Sequence, residues 1–105
     1  MWIFSVEGFV SVVEHRDCAD RVMVCGRSKT DVEAFAKKLG RKVMATPRAD
    51  YPFRFTTRKR RMARLLRELV CGIDYPDFKT AVADRQGAAR DCIYQEIWTL
   101  ARAIR

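Results

Sequence analysis

The sequence predicts an α+β fold: an antiparallel sheet of about four strands with helices packed on one face, and a helical pair at the C-terminal end. Three observations predict it. Apolar residues alternate with period two across the first 27 positions, helical-period apolar stripes follow at 30–39, 57–70 and beyond 76, and two short β-rich runs separate the first two stripes. A chain of 105 residues, 49% apolar and 32% charged, suits a single domain spanning residues 1–105 with an ordinary core.

Each element has its own local cause. Trp2, Phe4 and Val6 alternate with Ile3 and Ser5, and Val10 and Val12 alternate with Phe9, Ser11 and Val13, so the opening is extended chain with Gly8 as a turn or a bulge. HRDCAD (15–20) reads as a turn, and RVMVCGR (21–27) as the next strand of a hairpin. Thr30-Asp-Val-Glu33 then reads as a capping box, followed by Val32, Phe35, Ala36 and Leu39 at i, i+3, i+4 and i+7, with Gly40 as the stop.

RKVMATP (41–47) and YPFRFTT (51–57) offer two more short strands, and Phe53 and Phe55 are expected in the core. A helix follows, with Thr56 or Thr57 as its expected N-cap, a buried stripe of Met62, Leu65, Leu66, Leu69 and Val70, and Gly72 as its end. Pro76 and Asp77 start the next helix, which stops at Gly87. The last helix is expected to face the core through Ile93, Ile97, Leu100 and Ile104, with Tyr94 and Trp98 beside that seam.

Cys18, Cys25, Cys71 and Cys92 form no CxxC pair, and Cys25, Cys71 and Cys92 fall in apolar or helical runs, so they are expected to be reduced thiols and mostly core residues of a cytoplasmic protein. His15 and Cys18 are too few to hold a structural zinc. The N-terminal apolar stretch lacks a basic n-region and is interrupted by Glu7 and Glu14, which argues against a signal peptide, and no run reaches the ~18 apolar residues of a membrane span.

The charge is informative. A net charge of +8, from 21 Lys and Arg against 13 Asp and Glu, calls for an anionic partner: nucleic acid or the acidic surface of a protein. TTRKRRMARLLREL (56–69) concentrates it, placing Arg58, Lys59, Arg60, Arg61 and Arg64 at the positive end of the helix macrodipole, where cations are unfavourable. Arg60, Arg64 and Arg67 recur at i, i+4 and i+7, off the apolar stripe.

A bound phosphate would offset that mismatch, because free N–H groups, hydroxyls and guanidinium groups are all donors to it. The expected anion site is therefore Arg54, Arg58, Lys59, Arg60, Arg61, Arg64 and Arg67, with Tyr51 as a stacking residue for an unpaired base. No catalytic, metal or cofactor site is expected: GxSxG, phosphate loops and paired catalytic carboxylates are absent, and a ribonuclease reading would rest on His15 alone with nearby arginines.

The blocks MWIF, GFVSVVEHRD, ADYPFR, IDYPDFK and YQEIW, in this order, resemble a set of small, functionally uncharacterised bacterial proteins common in actinobacteria. The resemblance covers nearly the whole chain and implies a self-contained cytoplasmic domain, with no activity to carry over. The 56–69 segment is more basic here than in those proteins. The expectation from the residues themselves is a non-enzymatic basic protein that engages nucleic acid through an Arg-rich helix. The alternative is a protein-interaction module, such as a mobile-element inhibitor or accessory protein docking on an acidic surface of a larger complex.

Overall fold

Alternating apolar residues build three consecutive strands in the computed structural model, which describes residues 1–105. They are β1 (Trp2–Ser5), β2 (Gly8–His15) and β3 (Cys18–Gly26), followed by helix α1 (Lys29–Lys38), a two-residue strand β4 (Met44–Ala45) and strand β5 (Phe53–Arg58). Helices α2 (Lys59–Cys71), α3 (Phe78–Gln86) and α4 (Ala88–Ala101) complete the chain. The fold is α+β, as expected, with five antiparallel strands in the order β1-β2-β3-β5-β4. The chain divides into two compact units, Met1–Ile73 and Asp74–Arg105.

In the first unit, alternation sends Val10, Val22, Val24 and Phe55 to one face of the sheet, where Val32, Phe35, Ala36 and Leu39 of α1 and Met62 and Leu65 of α2 close over them. Phe53, Leu66 and Leu69 pack partly against this core. Val70, expected on the stripe, is exposed one residue before the end of α2. The expected strand at 41–47 shrinks to Met44–Ala45, because Arg41 closes α1 and Pro47 cannot donate to a ladder.

The caps differ from expectation. Ser28, rather than Thr30, caps α1: its Oγ accepts the Asp31 N–H at 3.2 Å, and its carbonyl accepts from Val32 N at 3.1 Å. This start leaves the Asp31 carboxylate free to accept the Phe9 N–H of β2 at 2.9 Å, which ties the first turn of α1 to the first hairpin. Glu33 pairs with Lys29 at 3.7 Å instead of closing a capping box. At the other end Gly40, at φ +63°, completes a Schellman motif in which Arg41 N donates to Ala36 O at 2.9 Å and Gly40 N to Lys37 O at 3.3 Å.

In the second unit, Phe78 of α3 stacks on Tyr94 of α4 at 5.9 Å between ring centroids, and Ala81, Val82 and Tyr94 are buried. Tyr94, not Ile93, faces α3, a rotation of one residue step about the α4 axis that leaves Ile93 and Leu100 exposed and Ile97 half-buried, while Ile104, expected on the same seam, lies beyond the end of α4 and is exposed. Of the cysteines, Cys25 is buried, but Cys71 and Cys92 are exposed on the outer sides of α2 and α4, and all four are free thiols. No helix is long and apolar enough to cross a membrane.

Two outcomes follow from these contacts. Gly8 holds φ +140°, and a Cβ there would meet Asp31 Cγ at 2.6 Å, so Gly8→Ala should destabilise the protein by about 1–3 kcal/mol in urea unfolding. Asp77 caps α3 through the Thr80 hydroxyl and N–H, bonds that hold its carboxyl below the usual value. A depressed folded-state pKa contributes stability above the unfolded-state value of ~4 and loses it as pH falls further. Circular dichroism of the full chain should therefore lose helix as pH drops below about 4, and Asp77→Asn, which keeps the cap, should flatten that slope.

Candidate anion-binding site

Strand β5 becomes helix α2 with no intervening loop: Arg58 ends the strand and is the N-cap, with extended backbone at φ −69°, ψ 143°. It supplies no side-chain cap, and no acidic residue occupies the first turn. The expected cap at Thr56 or Thr57 does not form. Thr57 points into the core face with Phe53 and Phe55, and Thr56 points to the other face of the sheet.

The first turn of α2 is therefore a set of uncapped N–H donors flanked by cations, and the fold adds two more. Arg21 of β3 lies directly opposite Arg58 in the β3–β5 ladder. Arg41, delivered by the Schellman motif, donates its Nε to Thr56 O at 2.8 Å, which orients its guanidinium and leaves the terminal nitrogens for another acceptor. Arg21, Arg41, Arg58 and Arg61 line a cavity of about 340 Å³ together with Thr57. Thr57 is only 1% exposed, and no protein group bonds its hydroxyl.

Like charges placed directly opposite in an antiparallel pair repel, and here no carboxylate lies within ion-pair distance of either arginine. Asp20 precedes Arg21 in β3 and feels the field of both arginines. The Cys18 thiol, which donates to Asp20 Oδ1 at 2.8 Å, holds that carboxyl below its usual range, and the fields of Arg21 and Arg58 act in the same direction. In return, Asp20 pushes the Cys18 thiol up.

Farther along α2, Arg60, Arg64 and Arg67 are exposed and form no ion pair, so the i, i+4, i+7 row predicted from the sequence is an open cationic edge. Lys59 is partly neutralised by Glu14 of β2 at 3.1 Å. Arg54 does not join this cluster. It shares the face of Arg58 but sits four residues back along β5, about 13 Å away, donating to Thr46 Oγ1 at 3.0 Å and to Tyr51 O at 3.3 Å and reaching Met23 Sδ at 3.3 Å.

Tyr51 is also elsewhere. It precedes β5, so a strand roughly 17 Å long separates it from the start of α2, and its ring is covered by Arg27, whose Cζ lies 5.8 Å from the centroid. Sequence reasoning missed Arg21, Arg41 and the lining role of Thr57. The signal for Arg21 was the strand register, which pairs it with Arg58; Arg41 was findable only as the residue after a Gly that ends a helix.

His15 is engaged locally, its Nδ1 accepting the Asp17 N–H at 3.1 Å, and no group of three His, Cys, Asp or Glu side chains is placed to hold a metal ion. Comparison with known proteins finds no family model, no curated protein and no solved structure that matches the chain. The chemistry of the site rests on its own residues. A buried hydroxyl without a partner is destabilising, so Thr57→Val should raise the unfolding free energy of the ligand-free protein by about 1–3 kcal/mol. Urea titration checks this, and a loss of stability would mean that the hydroxyl is bonded after all.

Proposed function

We propose that this is a non-enzymatic basic binding protein that engages nucleic acid through α2. The observation that carries the reading is the clustering of cations on α2: the row Arg60, Arg64 and Arg67 is exposed and forms no ion pair, and Arg61 of the same helix lines the four-arginine cavity at its head. The row spans about 10 Å of helix axis, which at ~3.4 Å of duplex axis per phosphate on one strand matches about three phosphates. Phosphate contacts of this kind position a protein without specifying sequence. Lys59 contributes at the margin, since it is shared with Glu14.

A second reading, a module that docks on the acidic surface of a protein complex, is favoured by a different observation. Trp98 on α4 is 53% exposed and flanked by Lys79 Nζ at 4.5 Å and Arg102 Cζ at 5.6 Å. An exposed aromatic residue ringed by cations suits an acidic, partly apolar partner. The two readings separate by mutation, because Trp98→Ala should leave oligonucleotide binding unchanged if α2 is the site.

The decisive experiment is a titration of the full chain with labelled duplex and single-stranded oligonucleotides at 50 and 200 mM salt. Three phosphate contacts to duplex predict a loss of affinity of roughly 40-fold over that range, and Arg60→Glu with Arg64→Glu should lower the log–log salt slope by about two. That double variant should fold normally, since both side chains are exposed. Absence of binding at low salt would overturn the nucleic-acid reading.

A further inference from the structure

The cavity at the head of α2 differs in kind from the cationic row beside it. The row is one exposed helix edge, whereas the cavity gathers guanidinium groups from four separate elements of chain: Arg21 from β3, Arg41 from the end of α1, Arg58 from the end of β5 and Arg61 from the first turn of α2. Two features make it a built site rather than a chance concavity. Arg41 is held in place by its Nε bond to Thr56 O. The Arg21–Arg58 pair is forced together by strand register.

We propose that this cavity is a socket for a phosphate monoester dianion at the end of a nucleic-acid strand, a proposal that rests on the nucleic-acid reading of α2. The chemistry selects the group. Guanidinium forks match the oxygens of phosphate bidentately, and the uncapped N–H groups of α2 add donors aligned with the helix dipole. A monoester carries about −1.5 to −2 charges at neutral pH and three terminal oxygens, against one charge for an internal diester, so four arginines discriminate in favour of the end group.

Size agrees. A cavity of about 340 Å³ has room for roughly ten waters at ~30 Å³ each, enough for a phosphate and the sugar that bears it. The adjoining row of Arg60, Arg64 and Arg67 then continues along the strand whose end is held. The terminal phosphate is read in the socket, and the internal phosphates are held by the helix edge.

The test uses the full chain and three single-stranded oligonucleotides of one sequence, carrying a 5′-phosphate, a 3′-phosphate or hydroxyls at both ends. One phosphorylated strand should bind at least tenfold more tightly than the hydroxyl-ended strand, and inorganic phosphate at matched ionic strength should reduce that preference by competition. Arg21→Gln should erase the preference for the phosphorylated strand, whereas Arg60→Glu with Arg64→Glu should weaken the binding of all three strands. Arg41→Gln, at an exposed position of the cavity wall, should weaken the preference severalfold, so the result does not depend on one variant folding.

Equal, salt-sensitive affinity for all three strands would overturn the socket while leaving the nucleic-acid reading in place. A rise in melting temperature with inorganic phosphate, but no binding of any strand, would overturn both and assign the socket to another carrier of the same group.

Discussion

The direct passage from β5 into α2 is the constraint on which the site depends. With no loop to absorb error, the register of β5 against β3 sets where α2 begins, which residue stands at its N-cap and which side chains surround its uncapped N–H groups. The same register that seats Phe55 and Thr57 in the core brings Arg58 opposite Arg21. Charge concentration is thus a geometric result of strand pairing, and packing of the core maintains it. A slip of one residue would turn every β5 side chain to the other face and disperse the cluster.

The rest of the first unit can be understood as holding that junction still. Met62 and Leu65 bury one side of α2 on the sheet, so its orientation is fixed by apolar contacts and its opposite edge is left to the arginines. The helix beside it is fastened at both ends by polar groups: Asp31 to the Phe9 N–H of β2, and the Arg41 side chain to the Thr56 carbonyl of β5. These ties join segments far apart in sequence. They also explain why α1, which carries no part of the cationic row, contributes an arginine to the cavity.

Much of this was legible in the residues, and the remainder failed for identifiable reasons. The helical stripe Val32, Phe35, Ala36 and Leu39, the alternation of β2 and β3, and the exposed i, i+4, i+7 arginine row are local periodicities, and local periodicity survives folding. Competing caps are harder, since Ser28 and Thr30 are equally able to accept a backbone N–H; tertiary use of Asp31 by Phe9 accompanies the start at Ser28. The seam of α4 was misjudged by one residue step because Tyr94 and the isoleucines are all apolar, and only the stack on Phe78 identifies the side that faces α3. Arg54 and Tyr51 are close to the helix in sequence but not in space, since an extended strand advances about 3.3 Å at each step.

One quiet residue carries a disproportionate share of this arrangement. Gly40 touches nothing that a methyl group would disturb, yet its left-handed backbone at φ +63° is what turns the chain out of α1 and aims Arg41 at the carbonyl of Thr56. The cavity is thereby vulnerable at a position with no charge, no hydrogen-bonding side chain and no part in its lining. Variation there would act on recognition by redirecting the chain rather than by removing a contact, and inspection of the cavity wall alone would not reveal the cause.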